Sequence, residues 1–213
     1  MIENLPRQCE TILAKGLAEL NITCSEQQKE LLLTYVALLV KWNKAFNLTA
    51  IRDPKQMIIR HLLDSLSVSA YLEGDNIVDV GTGPGIPGIP LAIIFPKRRF
   101  TLIDSNGKKV RFMEQAKQSL KLDNIFPLQQ RVESFKPEAE FDSVISRAFT
   151  SLEQMVEMTS SLVKDGGLMQ AMKGVKPESI QLLAPWQIDK IIKLQVPELE
   201  EQRHLINIIR KEV

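Results

Sequence analysis

The amino-acid sequence predicts an α/β protein in which a mostly parallel, doubly wound sheet follows an all-helical N-terminal third. Three observations predict this class: apolar residues at helical spacing up to about Ala70, alternating strand-like and helix-like runs from Asn76 onward, and a glycine cluster after the first strand-like run. Repeated strand and helix units form parallel sheets covered on both faces. The 213 residues, 44% of them apolar, suffice for one such domain with a modest addition.

Three helices are predicted before the first strand. Apolar residues recur at helical spacing over the first twenty residues. Ser25 and Gln28 form a capping box for a second, longer helix. Asp53-Pro54, a helix-capping residue followed by proline at the first helical position, begins a third. We therefore divide the chain into a helical extension, residues 1–72, packed on a core domain, residues 73–213.

Strands and helices alternate in the core domain. We predict strands at 77–80, 100–104, 125–129, 141–146 and 168–172, and helices at 86–95, 108–120 and 152–163. A turn at 165–167 separates the last helix from the strand after it. The final two alternating runs, 188–196 and 204–209, are expected to form an antiparallel hairpin at the edge of the sheet.

Charge and cysteine content exclude several classes of protein. The 27 basic and 26 acidic residues leave a net charge of +1, too little to attract nucleic acid or membrane as a whole. Two local windows, 41–60 and 97–111, are basic. Cys9 and Cys24 lack metal-ligand spacing, so we predict neither a metal site nor a disulfide framework. Because no leader or long apolar segment is evident, we expect a cytoplasmic protein without membrane contact.

A glycine-rich loop at 81–88 follows the first predicted strand, at the position where doubly wound folds bind ligands. Its glycines, Gly81 and Gly83 among them, let the backbone bend and approach a ligand closely. The loop matches the dinucleotide fingerprint, so a nicotinamide cofactor is one candidate. However, Asp79 at the strand's exit favours a cation over a pyrophosphate, and two prolines remove amide donors that a phosphate needs. S-adenosylmethionine, with a sulfonium, an ammonium group and no phosphate, suits the loop better.

Two further positions are candidates for cofactor binding. Asp104 ends the second predicted strand, where its carboxylate can accept hydrogen bonds from both hydroxyl groups of a ribose. Either cofactor offers a ribose, and Asp104 could instead cap the helix that follows. Val132 and Glu133 come after the third strand, where an apolar contact and an acceptor could hold an adenine, although a solvated glutamate is an equal alternative.

Several stretches, spread over almost the whole chain, carry a resemblance to a known family. They are KWNKAFNLTA (41–50), RHLLDSL (60–66), DVGTGPGIPGIPLAI (79–93), LIDSNGKKVRFM (102–113), ISRAF (145–149), AMKG (171–174) and RHLINIIRK (203–211). The chain resembles the RsmG family, also called GidB, of methyltransferases that act on bacterial small-subunit ribosomal RNA. Met172 is a small departure, since leucine is more usual there.

This resemblance implies a class I methyltransferase fold with a seven-stranded sheet, S-adenosylmethionine as donor, and methylation of N7 of one guanine in 16S rRNA. The family's donor contacts, carried over residue by residue, fall on Gly81 and Ile86 in the loop, on Val132 and Glu133, and on Arg147. The implied partner is 16S rRNA within a ribosomal particle, and we expect the enzyme to be a monomer.

The implied chemistry needs no general base, because N7 of guanine already presents a lone pair; alignment of the reactants carries the catalysis. Arg147 or Lys173 could donate a hydrogen bond to O6 of the base. His61 is either part of the pocket wall or a packed, hydrogen-bonded side chain. Because the major groove of A-form RNA is too narrow for side chains, the guanine is expected to be unpaired or extruded. The two basic windows would contact phosphates.

Two other functions remain as alternatives. An RNA-binding assembly factor with a vestigial pocket would bind rRNA without transferring methyl groups. A nicotinamide-dependent oxidoreductase would use the same loop, but the sequence offers no plausible proton donor near a hydride site.

Overall fold

The structure is a computed structural model that describes residues 5–147, 149, 151–176 and 182–211. The first four residues of the predicted N-terminal helix and Ala148 of the ISRAF stretch lie outside the described residues.

The N-terminal third is helical, as predicted. It contains α1 (Gln8–Glu19), α2 (Glu26–Phe46), α3 (Pro54–Met57), a π-helical segment (Ile58–Leu63), α4 (Asp64–Leu66) and a 3-10 turn (Ser69–Tyr71). The capping box of α2 is confirmed, because the Gln28 amide donates to Ser25 Oγ at 3.1 Å and the Ser25 amide donates to Gln28 Oε1 at 3.0 Å. The predicted third helix is interrupted by the π-helical segment, which no local pattern had indicated.

Seven strands form one sheet in the order β3-β2-β1-β4-β5-β7-β6. The strands are β1 (Asn76–Val80), β2 (Arg99–Asp104), β3 (Ile125–Gln129), β4 (Phe141–Ser146), β5 (Val163–Lys173), β6 (Trp186–Leu194) and β7 (Arg203–Arg210). The first five are parallel, and β7 is antiparallel to both of its neighbours. Helices α5 (Gly88–Ile94), α6 (Gly107–Leu120) and α7 (Leu152–Thr159) connect them. The predicted fold class is confirmed.

Two boundaries in the last strand and helix unit differ from the prediction. Helix α7 ends at Thr159 rather than near 163. The predicted turn at 165–167 lies inside β5, where the register against β4 shifts between the pairs Phe141 with Val163 and Ser143 with Leu168. The glycines therefore form an irregularity within a strand, because pairing with β4 resumes on both sides of them.

The two faces of the sheet pack against different helices. One apolar cluster joins side chains of α1, α2, the π-helical segment, α5 and α6 to the sheet, and includes Leu39, Leu62, Phe100 and Phe112. A second cluster joins α7 to the opposite face. Within the described ranges, no helix is long and apolar enough to cross a membrane. The helical third thus shares its core with the sheet.

Candidate functional site

The glycine loop bends over the carboxyl ends of β1 and β2. Gly81 and Gly83 have φ angles of +67° and +65°, in the left-handed region that glycine adopts without strain. The amides of Gly81 and Thr82 donate to the carbonyl of Ile103 at 2.9 and 3.1 Å. The loop is thereby fixed at the edge of the sheet where the predicted ligand site lies.

Asp79 is turned into this loop rather than out of it. Its side chain is fully buried, and Oδ2 accepts from Thr82 Oγ1 at 2.5 Å and from the Gly88 amide at 2.8 Å. Oδ1 is also buried and has no hydrogen-bond partner among the described residues. Burial raises the pKa of Asp79 to about 7, although the bonds from Thr82 and Gly88 act in the opposite direction.

Asp104 ties the loop to the end of β2. Its Oδ2 accepts from the Gly83 amide at 2.9 Å and from Lys109 Nζ at 3.3 Å, and its Oδ1 accepts from the Asn106 amide at 2.8 Å. Helix α6 is capped by Asn106, whose side chain accepts from the Lys108 amide at 3.0 Å. The alternative role of Asp104 as the helix cap is therefore wrong.

A cleft of about 330 Å³ opens beside the loop, and we call it the loop cleft. Four predicted cofactor residues line it: Gly81, Asp104, Val132 and Glu133. The last two lie in a 3-10 turn after β3. Arg147, the eighth predicted cofactor residue, lies in a neighbouring cleft instead. Asp79, Gly83 and Ile86 are also absent from the lining; Ile86 is buried in the core, and Gly83 bonds to Asp104 through its amide. These three residues shape the loop from behind.

A second cleft, of about 340 Å³, lies next to the first and contains all three predicted catalytic residues, His61, Arg147 and Lys173. We call it the basic cleft. Phe149 connects the two clefts, because it lines the loop cleft while its carbonyl accepts a hydrogen bond from Lys173 Nζ. Burial lowers the pKa of Lys173.

His61 is a hydrogen-bonded wall of the basic cleft. Nδ1 lies 3.2 Å from the Arg60 carbonyl and Nε2 lies 2.8 Å from Thr49 Oγ1. Since a carbonyl can only accept, we assign the proton to Nδ1, and the Thr49 hydroxyl donates to Nε2. Burial, with a contribution from the Arg147 charge, lowers the pKa of His61 to about 4. The ring is therefore neutral at pH 7. His61 is a packed, hydrogen-bonded side chain that also lines the cleft.

Two charged residues of the basic cleft, Asp64 and Arg203, were not predicted as site residues from the sequence. Asp64 Oδ2 accepts from Arg147 Nη1 at 3.0 Å, and Asp64 Oδ1 accepts from Arg203 Nε at 3.2 Å. Both Asp64 and Arg203 lie in the stretches quoted for the resemblance. The available signal for Asp64 was an acidic residue at helical spacing among leucines, where an unpaired charge is rarely buried.

The basic windows differ in their positions. Window 41–60 includes Arg60 of the basic cleft. In window 97–111, Arg98 and Arg99 lie at the amino end of β2, over the rings of Phe95 and Phe126. Asp104, at the other end of β2, is roughly 16 Å away at the rise of a strand. The expectation that all of 97–111 flanks the pocket is therefore wrong for its first residues.

A family model described as GidB, rRNA small subunit methyltransferase G, matches residues 28–206, which is most of the chain. The chain belongs to the GidB family. Similar relatives are named Ribosomal RNA small subunit methyltransferase G. The one from Vibrio cholerae is 51% identical over 198 residues, which cover 92% of this chain and 94% of the relative. The Shewanella woodyi relative is 49% identical over 201 residues, covering 93% and 98%.

Solved structures of methyltransferases share the fold of this GidB-family chain. A SAM-dependent methyltransferase from Aquifex aeolicus superposes with a TM-score of 0.55 at 15% identity, covering 74% of this chain and 94% of that one. A ribosomal protein L11 methylase from Lactobacillus delbrueckii has a TM-score of 0.52 at 14% identity, covering 70% and 77%. At such low sequence identity the comparison shows the fold alone, and that fold agrees with the predicted class I architecture.

Proposed function

We propose that this GidB-family enzyme transfers a methyl group from S-adenosylmethionine to N7 of a guanine in 16S rRNA of the small ribosomal subunit. The observation that carries the proposal is the adjacency of the two clefts at the carboxyl edge of the sheet. The loop cleft is lined by the glycine loop and by side chains of both charges, and the basic cleft is cationic, so a donor and an RNA base can meet at Phe149 between them.

The loop cleft fits a cationic adenosine donor better than a pyrophosphate. Asp104 and Glu133 supply acceptors, and Val132 and Met158 supply an apolar wall. The two cations of the lining, Lys109 and Arg131, balance these carboxylates, and Lys109 is paired with Asp104. Asp79 is fully buried and does not line the cleft, so it acts on a bound donor through the shape of the loop rather than by direct contact. S-adenosylmethionine, when bound there, supplies a methyl group activated by its sulfonium. This favours the methyl donor over the nicotinamide alternative.

The basic cleft supports transfer to an atom that needs no deprotonation. Both ring nitrogens of His61 are engaged and burial lowers its pKa to about 4, so the side chain is a weak base and is not poised as a general base. Arg147 and Lys173 are donors at the ends of β4 and β5, next to the loop cleft. We assign to them the orientation of the base through O6, which leaves N7 free to attack. The contribution of the chain is then mainly alignment.

The acceptor is an extruded or unpaired guanine, because paired A-form RNA hides this edge in a narrow groove. Exposed cations at the start of α6 and the end of α2, including Lys108, Arg111, Lys41 and Lys44, would contact phosphates around it. One chain supplies both clefts, so we expect a monomer acting on rRNA in the cytoplasm.

The test is mass mapping of nucleosides in 16S rRNA from cells with and without the gene. We expect one N7-methylguanosine to be lost without the gene and restored when purified protein and S-adenosylmethionine are added. Unchanged methylation would refute the assignment. If the protein binds 16S rRNA and transfers no labelled methyl group, the assembly-factor alternative is correct instead.

A further inference from the structure

A buried carboxylate holds two arginines at the wall of the basic cleft. The Asp64 side chain is only 3% exposed, and each of its oxygens accepts from a different arginine, Arg147 and Arg203, at 3.0 and 3.2 Å. The first comes from the end of β4 and the second from the start of β7. Asp64 thus links two distant segments of the sheet.

Each arginine keeps guanidinium donors that the contact with Asp64 does not use. Arg147 uses its Nη1 group for Asp64 and for the Arg60 carbonyl, and Arg203 uses Nε for Asp64 and Nη1 for the Gln202 carbonyl. Their side chains remain 29% and 22% exposed. A guanidinium has five N–H donors, so each arginine keeps at least one nitrogen, Nη2, that bonds to none of the described residues.

The basic cleft carries a surplus of positive charge. Among the described residues that line the cleft, Arg147 and Arg203 share one carboxylate, that of Asp64, Lys173 adds a further cation, and His61 is neutral. The other arginine of the wall, Arg60, is paired at the rim with Glu201 at 2.5 Å. Such a cleft, with fixed forked donors, is complementary to the phosphate of a nucleic acid.

The cations follow the edge of the sheet away from the donor. Arg147 follows β4, Lys173 ends β5, and Arg203 begins β7, whose next residue pairs with Lys173. Neighbouring strands are about 4.8 Å apart, so Arg203 lies about two strands beyond Arg147. A base must reach the loop cleft to be methylated, and the more distant cation is left for the backbone of the same RNA segment.

We propose that Arg203 binds a phosphate of the rRNA beside the target guanosine and that Asp64 is the positioning residue that holds Arg203 there and Arg147 toward the base. The proposal rests on the function proposed above and names its RNA-binding contacts. Asp64 lowers the charge of the cleft, yet it fixes two flexible side chains that would otherwise lose more rotamer freedom on binding RNA.

The decisive variant is Asp64→Asn, tested on 16S rRNA from cells lacking the gene, offered free and in small subunits. If charge alone mattered, removing a carboxylate would strengthen RNA binding. We expect instead that kcat/KM for the RNA falls about tenfold or more, while the Kd for S-adenosylmethionine stays within about twofold. The matched control, Glu201→Gln, makes the same change of charge at the rim and is expected to leave kcat/KM unchanged or slightly higher.

A second variant keeps the proposal testable if Asp64→Asn does not fold. Arg203→Gln is expected to reduce the slope of log K for 16S rRNA against log salt concentration by about one, as the loss of one phosphate contact requires. This binding measurement is independent of methyl transfer. If the wild-type protein transfers no methyl group, the proposed function is wrong. The salt dependence of 16S rRNA binding would still show whether Arg203 contacts a phosphate.

An unchanged slope for Arg203→Gln would overturn the proposal. So would an Asp64→Asn variant that folds and behaves like Glu201→Gln, because the two arginines and the carboxylate would then be a structural ion cluster only.

Discussion

The Asp79 carboxyl group is enclosed by the glycine loop, so its protonation is coupled to folding. Its pKa is raised from 3.8 to about 7 because the side chain is buried. Its orphaned Oδ1 adds to the cost of the ionised form. At neutral pH this residue sits close to its midpoint, and small changes in its surroundings alter its charge.

The first prediction concerns stability against pH. Between about pH 4 and pH 7 the native state keeps a proton on Asp79 that the unfolded state has lost, so the free energy of unfolding falls as pH rises through this window. The fall amounts to at most about 4 kcal/mol. Asp79→Asn cannot titrate, so its free energy of unfolding should lack this fall in urea titrations at about pH 5 and pH 8.

Because His61 also titrates, the free energy of unfolding of the variant must be compared with that of the wild type at each pH. The pKa of His61 is lowered to about 4, so the unfolded state binds the extra proton below about pH 6.5 and stability rises with pH there. The two residues therefore oppose each other. Subtracting the free energy of unfolding of Asp79→Asn from that of the wild type cancels the His61 contribution. If this difference did not change with pH, Asp79 would have an ordinary pKa in the native state.

The second prediction concerns Gly81, which lines the loop cleft at a φ of +67°. Gly81→Ala adds strain of roughly 1–2 kcal/mol and a methyl group beside the loop cleft. We expect the Kd for S-adenosylmethionine to rise by about tenfold or more in calorimetry, with a folded protein. Gly166→Ala is the matched control, because Gly166 has a φ of +73° and an added Cβ would meet nothing within 4 Å. If Gly81→Ala and Gly166→Ala lost the same affinity for S-adenosylmethionine, the placement of the donor beside Gly81 would be wrong.

At this scale the sequence predicts the identity of most site residues and little of their orientation. Gly81, Asp104, Val132 and Glu133, which were predicted to contact the cofactor, lie together in the lining of the loop cleft. That Asp79 faces inward is decided by the Gly88 amide, nine residues later, at 2.8 Å. Asp64 and Arg203 were not predicted to meet, because they are 139 residues apart and no local pattern encodes such a contact.

Helix α2 supports the glycine loop from behind. Tyr35, in the middle of the helix, is fully buried, and its hydroxyl donates to the Pro84 carbonyl at 2.9 Å. Its ring packs against Phe112 of α6 with the centroids 6.0 Å apart. A buried hydrogen bond thus joins the N-terminal helices to the glycine loop.

The third prediction tests this support. Tyr35→Phe keeps the ring and leaves the Pro84 carbonyl without its donor, so we expect a loss of about 1–3 kcal/mol in the free energy of unfolding. Because the loop is less constrained, the Kd for S-adenosylmethionine should rise several-fold. Thr34→Ala is the control, since the Thr34 hydroxyl donates within α2, to the Glu30 carbonyl. If Tyr35→Phe binds the donor as tightly as Thr34→Ala, the loop does not depend on α2.

Elements were predicted well where the signals are local. The capping box of α2 and the runs at 125–129 and 141–146 match the structure to the residue. The π-helical segment Ile58–Leu63 and the irregularity in β5 were missed. Both elements make contacts with distant parts of the chain. In the π-helical segment the Arg60 carbonyl accepts a hydrogen bond from Arg147, and β5 pairs with β4.

At the scale of the whole molecule, the helical third and the sheet share one apolar core. Leu32 and Leu39 of α2 belong to the same cluster as Phe112 and Met113 of α6. The division at 72 that we predicted from the sequence therefore separates elements that bury one another's surface, although the helices also supply His61 and Asp64 to the basic cleft.

The fourth prediction is that residues 73–213 do not fold alone. Without the helices, one face of the sheet and α6 would expose this cluster to water, at a cost of about 25 cal/mol per Å² of apolar surface. We expect no cooperative transition in calorimetry and recovery when 1–72 is co-expressed. A cooperative transition of the isolated fragment would show that the extension is only an addition to a self-sufficient domain.

The position of β7 has a consequence for biosynthesis. This strand pairs with both β5 and β6, although it is translated after them. While the chain is still being made, β6 has no hydrogen-bonding neighbour and β5 keeps one open edge. Until Arg203–Arg210 has emerged from the ribosome, the nascent protein carries exposed strand edges. Because such edges favour aggregation, we expect the chain to be most dependent on chaperones during this interval.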